Sequence, residues 1–252
     1  NTFTADRKWT MDFLKQYKQK IDLPFSCLLR ANEVDEALVK ELKHAGCEYI
    51  TFGIESGNDR IRNEIFRKHL KKEDIIKAAK LLKKYKITFG AYNILGNPTE
   101  TLDEAFETLY LNVKIGTDIP TCSILQLYPG TPLLAYAREN NLVREGLDIN
   151  CNRDTIDNFR YGVMEVKSKY GREMANLQKF FFLACKMPIL IPLIKQLIKL
   201  PPNRFYDLLY KISFVYRVKH AIKPSFRLML NYATLRATSG LRTKVNKFAL
   251  SE

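Results

Sequence analysis

The run YITFGIESG, residues 49–57, constrains the fold more than any other stretch. An apolar segment from Tyr49 to Ile54 ends abruptly in a carboxylate (Glu55), a hydroxyl (Ser56) and Gly57. Bounded by turn residues and rich in aromatic and β-branched members, it reads as a strand buried on both faces. Its polar tip then lies where the chain leaves the sheet. In parallel sheets and βα barrels that edge is where ligands bind. Three further runs end the same way: 23–31 at Arg30 and Asn32, 87–96 at Asn97-Pro98, and 121–127 at the turn Tyr128-Pro129-Gly130-Thr131.

Helical periodicity fills the intervals. Residues 6–21 repeat Trp9, Phe13 and Tyr17 at four-residue spacing. Asp35 can cap a helix that carries Leu38 and Leu42 and ends at Ala45-Gly46. Residues 59–66 predict a short helix, and 72–85 a longer one burying Ile75, Ile76, Ala79 and Leu82. Thr101 and Glu104 form a capping-box pattern before a helix with Ala105, Leu109 and Val113 inward. Pro132 opens a last helix to about Asn140.

Strand and helix alternating four times imply a parallel sheet with right-handed crossovers. Four units cannot close an eight-stranded barrel. The expected fold class is therefore α/β: a partial (β/α) barrel over residues 1–145, completed by upstream units. A connecting segment and a helical, basic C-terminal region follow over 146–252. The chain opens NTFTADRKW with neither an initiator Met nor a signal-peptide pattern, which reads as a cut within a domain. The most apolar window, 179–200, holds Lys186 and two prolines, which argues against a membrane span. We expect its helices to dock on the barrel or on an absent domain. The alternative is an interfacial position on a membrane.

Composition narrows the partners. Among 252 residues, 41 Lys and Arg oppose 27 Asp and Glu, a net charge of +14 that favours anionic partners or plain solubility. The five cysteines have no CxxC spacing, so neither a zinc site nor a disulfide framework is indicated. A reducing, cytoplasmic setting follows as the expectation. The three histidines sit on predicted helices away from the rim, so nucleophilic or acid–base catalysis has little support.

The strand ends collect Arg30 and Asn32, Glu55 and Ser56, Asn93 to Asn97 around Gly96, and Gln126 with Tyr128 to Thr131. A cation, a carboxylate, hydroxyls and amides beside glycines suit a ligand bearing an amino acid, a ribose and a base. Arg30 can fork onto a carboxylate, and Glu55 can accept from ribose hydroxyls or an ammonium. Each also has a plain structural reading. Glu55 or Ser56 can cap a helix, Arg30 can pair with a helix carboxylate, and the Asn-Pro and Pro-Gly segments can be turns.

The motifs NTFT, PFSCLLRAN, AGCEYITFGIESGND, ITFGAYNILGNPTET and LYPGTPL together resemble the radical S-adenosylmethionine (SAM) superfamily. They are most similar to the branch whose members often carry an N-terminal cobalamin-binding domain. The resemblance implies a partial (β/α)6 barrel with SAM at its rim. Its cofactor-binding residues would be Arg30, Glu55, Ser56, Asn93, Ile94, Gly96, Leu127 and Tyr128. Arg30 and Ser56 would serve the methionine carboxylate and Glu55 the ribose or amino-acid end. The strand ends at Ile94–Asn97 and Leu127–Tyr128 would pack the adenine. The resemblance further implies a 4Fe–4S cluster on an upstream CxxxCxxC motif, absent from this sequence, cobalamin on an upstream domain, and a reductant protein. The implied activity is methylation or other C–H functionalisation of a small, hydrophobic lipid, pigment or secondary metabolite, with the isolated chain inactive. Two other readings are open. One is a tRNA methylthiotransferase type, disfavoured because no β-barrel RNA module follows. The other is a non-catalytic module whose basic, aromatic run 204–242 binds anionic membrane.

Overall fold

The computed structural model describes residues 2–146 and 165–222. Most of the expected connecting segment, Cys151 and Pro224 lie outside the described residues. Contacts divide the chain into Asn1–Ser213 and Phe214–Glu252.

In the first unit, β1 (Phe25–Leu28), β2 (Cys47–Glu55), β3 (Thr88–Leu95) and β4 (Ile119–Ile124) form one parallel sheet in chain order. The register aligns Cys27 with Ile50, Ile50 with Phe89, Phe52 with Ala91 and Leu95 with Ile124. All of these side chains are buried in helix-covered core. Because strand side chains alternate, this places every covering helix on one face. Sequential order and one-sided covering are the marks of a barrel segment rather than a doubly wound sheet, as expected from the alternating pattern.

The helices follow from their caps. α1 spans Arg7–Lys20, with Asp6 accepting from Trp9 N. α2 spans Glu36–His44, with Asp35 accepting from Leu38 N at 2.8 Å. α3 spans Lys72–Lys84 and buries Ile75, Ala78, Ala79 and Leu82. α4 (Leu102–Ile115) begins at the full Thr101–Glu104 capping box. α5 (Pro132–Glu139) begins at Thr131, which accepts from Leu134 N. A side-chain cap of this kind contributes about 1 kcal/mol.

Three expectations changed. β1 has four residues rather than nine, because the chain turns into a 3-10 segment at Ala31–Glu33. β4 likewise stops at Ile124. The helix expected over 59–66 is a π-helical turn, Ile61–Ile65, closed by Phe66 N donating to Ile61 O. The wider turn accompanies Arg62, whose side chain is fully buried beneath it.

The apolar window docks on the barrel. α6 (Gly171–Lys186) packs Met174, Leu177, Phe180 and Phe181 into the core formed with Leu109 of α4 and Ile124 of β4. Gln178 donates to Cys122 O at 3.2 Å, and Lys186 to Thr117 O at 2.9 Å. A 3-10 turn, Pro188–Leu190, leads into α7 (Ile191–Leu197). Asn176 donates to Ile198 O and Leu200 O, both at 2.9 Å, and so ties the end of that segment to α6. No described helix is long and apolar enough to cross a membrane. α8 (Arg204–Ile222) runs into the second unit. There Tyr216 stacks on His220 with ring centroids 3.8 Å apart.

Gly57 sets how closely the loop after β2 approaches α4. A Cβ there would lie 2.4 Å from Glu107 O and 2.6 Å from Thr108 Cα, both backbone atoms. Gly57 N also donates to Thr108 Oγ1 at 2.9 Å. Gly57→Ala should cost about 1–3 kcal/mol by overpacking. A melting temperature equal to wild type would contradict that.

Candidate functional site at the C-terminal rim of the sheet

Parallel strands deliver all their C-terminal ends to one edge. At the end of β2 the backbone of Glu55 adopts φ 62° and the pairing slips between Gly53 and Glu55. This left-handed kink turns the carboxylate back over Gly53, on the face that carries no helices. A Cβ at Gly53 would lie 2.2 Å from Glu55 Oε1 and 2.7 Å from Lys68 Nζ. A side chain there would push aside the ion pair that Glu55 forms with Lys68, N to O 2.5 Å.

Lys68 is the residue that sequence reasoning missed. It lies between Arg67 and His69, both at φ 50°, in the loop that follows the π-helical turn, so His69 sits in this rim loop and not on a helix away from the rim as expected. Its ammonium takes Glu55, and its carbonyl accepts from the Arg30 guanidinium at 3.0 Å. The tips of β1 and β2 are thus joined through one loop residue. No motif marks Lys68, and its partner lies thirteen positions away. The exposed guanidinium of Arg30 keeps further N–H donors for a ligand.

The same loop carries Phe66 to the other half of the rim. Phe66 and Ile94 pack against Leu125, Leu127 and Leu134, forming an apolar shelf beside the charged cluster. Leu127 is held there by its N–H, which donates to the Glu165 carboxylate at 2.6 Å. Tyr128 is exposed and donates to Gln126 Oε1 at 2.6 Å. After β3, Gly96 adopts φ 80°. Gly96 N and Asn97 N both donate to Glu100 Oε2, at 2.7 and 2.9 Å. Burial pushes the Glu100 carboxyl up to about 7 despite those donors. Glu100 was not among the expected site residues either.

Two expected ligand-binding side chains turn away from the rim. Asn93 is in register with Cys122 on the helix-covered face, where it accepts from Asn112 of α4 at 2.7 Å and donates to Thr121 O. Ser56 is fully buried, its hydroxyl 3.3 Å from Thr108 Oγ1 and accepting from Asn58 N. Both fasten strand ends to α4. The cause is the two-residue repeat of a strand, which sends alternate tip residues toward the helices. Near β1, Thr2 and Thr4 both donate to Glu33, and Phe3 N donates to Leu28 O, so residues 2–4 run along the free edge of that strand.

The thiols on the strands do not fit a 4Fe–4S cluster. Cys27, Cys47 and Cys122 are buried on the helix-covered face. Its hydrogen bond with Cys27, and burial, push the Cys47 thiol far up, away from the thiolate a cluster needs. Among the described residues no three His, Cys, Asp or Glu gather as metal ligands.

A one-sided parallel sheet in sequential order, with a charged cluster and an apolar shelf at its strand tips, defines a (β/α)-barrel segment. Residues 4–111 match the model of the radical SAM superfamily. The chain is 34% identical over 179 residues to an uncharacterised methyltransferase, PH0819, from Pyrococcus horikoshii. That match covers 70% of this chain and 37% of the relative, so the chain spans little more than a third of that protein's length. It is also similar to the radical S-adenosylmethionine methyltransferase TsrM from Kitasatospora setae, solved with tryptophan substrate and the SAM analogue aza-SAM. The TM-score is 0.51 and the identity 18%, over 57% of this chain and 30% of TsrM. At that identity the likeness is one of fold.

Proposed function

We propose that this chain is the SAM-binding part of a radical SAM enzyme that methylates, or otherwise functionalises a C–H bond of, a small hydrophobic substrate. The observation that carries the reading is the Arg30–Lys68–Glu55 cluster set beside the Phe66–Ile94–Leu127 shelf at the strand C-termini. A charged half and an apolar half on one edge match the two ends of an adenosyl amino acid. Arg30 would bind the methionine carboxylate. Glu55, steadied through one oxygen by Lys68, would accept from the ribose hydroxyls or the ammonium. Ile94 and the Gly96 backbone would line the adenine, backed by the buried Leu127, with Tyr128 at its edge. A 4Fe–4S cluster held outside these residues would supply the electron for SAM cleavage, and cobalamin on another domain would serve methyl transfer. Similarity to a methyltransferase supports methylation over the other reactions of the family.

Equilibrium dialysis tests the reading. SAM and S-adenosylhomocysteine should bind the chain, and 5′-methylthioadenosine, which lacks the amino-acid end, more weakly. Arg30→Ala should weaken SAM by about 10- to 100-fold, the range of a hydrogen-bonded charge, and leave 5′-methylthioadenosine unchanged. Equal SAM affinity in the variant would sink the assignment. Reconstitution of the isolated chain with iron and sulfide should yield no SAM-cleaving 4Fe–4S species.

A further inference from the structure

Exposed large apolar side chains are concentrated after α6. Met187, Ile189, Leu193, Leu200, Phe205, Leu208 and Ile212 are all about half or more exposed, Ile189 at 85%. On α8 they form a stripe. At 100° per residue, Phe205, Leu208 and Ile212 fall within about 60° of one another. Tyr206, Tyr210 and Ser213 form the buried side of the same helix, and Tyr206 donates to Leu197 O at 2.9 Å. The helix is thus docked by one side and leaves a second apolar side uncovered.

The charges around the stripe have one sign. Lys199, Arg204 and Lys211 form no ion pair among the described residues, Lys195 sits over the Phe106 ring at 4.8 Å, and Asp207, the one acidic residue from 187 to 213, is paired with Lys179 at 2.7 Å. Helical geometry puts Arg204 and Lys211 together on one flank of the stripe. An apolar strip rimmed by unpaired cations matches an interfacial helix, whose apolar residues enter the acyl boundary while Lys and Arg meet acidic headgroups. A partner protein would be expected to bring carboxylates to a few fixed places, but here the cations are long, exposed and spread over consecutive turns.

We propose that the α7–α8 surface docks this protein on an anionic lipid bilayer, lying in the interface without crossing it. This reading stands on the C-terminal helices alone and does not depend on SAM binding.

The test is co-sedimentation of the full chain with extruded vesicles of phosphatidylcholine, alone or mixed with phosphatidylserine, at low and high salt. Wild type should bind the mixed vesicles, lose most binding in high salt, and bind neutral vesicles at least about tenfold more weakly. An R204E/K211E variant should lose about tenfold or more on mixed vesicles. An F205S/L208S/I212S variant should also lose binding with an unchanged melting temperature, because those side chains are exposed. If the triple variant unfolds, the single variant Phe205→Ser serves, with the same expected direction. Absence of wild-type binding at low salt, or stripe variants that bind as wild type, would overturn the proposal. So would a dimer in gel filtration that the stripe variant dissociates while vesicles are ignored, since the surface would then join two copies of the chain.

Discussion

Arg62→Met should cost the fold about 3–5 kcal/mol, because it strands two buried acceptors at once. The guanidinium is fully buried. It donates from Nε to Leu70 O at 2.7 Å, from Nη1 to Ser56 O at 2.9 Å, and from Nη2 to Asp59. Methionine fills similar space but offers no donor, so both carbonyls lose their partner away from water. Asp59→Asn separates the causes. Asp59 is 64% exposed, and asparagine keeps an acceptor for Nη2, so that variant should lose clearly less than Arg62→Met. Urea unfolding measures both. Equal losses in the two variants would mean the ion pair, not the carbonyls, matters. The consequence reaches the site, since Ser56 and Leu70 bracket the loop that presents Phe66 and Lys68. Arg62→Met should therefore also weaken SAM binding, whereas Asp59→Asn should not.

Stability should fall as pH rises from about 4.5 to about 7, by about 3 kcal/mol, through Glu100 alone. Its folded pKa lies above the usual 4.5 because burial disfavours the carboxylate. Between those two values the native state holds a proton that the unfolded chain has released, so raising pH favours unfolding. Glu100→Gln keeps an acceptor for Gly96 N and Asn97 N and removes the charge. Its stability curve should be flat where wild type declines, and the variant should be the more stable at pH 8. The carboxylates held low by partners, Asp35, Glu36, Glu104 and Glu145, act in the opposite sense and below their usual range. The difference between wild type and Glu100→Gln therefore isolates one group. Parallel curves for the two proteins would refute the assignment.

Lys68 and Glu100 show why the site was only half legible. Arg30, Glu55, Ile94, Gly96, Leu127 and Tyr128 could be marked because each ends or follows a strand-like run, and parallel strands share an exit edge. Lys68 follows no run. Its role comes from a loop that folds back between two residues in left-handed conformation, and one-dimensional periodicity carries no trace of that. Ser56 and Asn93 illustrate the converse. Their position at a strand end was readable, but which way they face was not: the apolar runs did not say which face of β3 the helices cover, and Ser56 lies beyond the slip between Gly53 and Glu55 in β2.

What the sequence determined by itself was order and kind. Apolar runs with abrupt polar ends, separated by capped helical stretches, specified four parallel strands and placed their tips together, because hydrophobic period and capping chemistry are local properties. The tertiary structure alone decided the rest: that α6 covers β4 and α7 packs on α6, that Lys68 closes over Glu55, and that Asn93 faces α4. Those outcomes depend on side-chain packing and ion pairing between residues far apart in the chain, and such contacts exist only once the sheet has formed and its faces have been assigned.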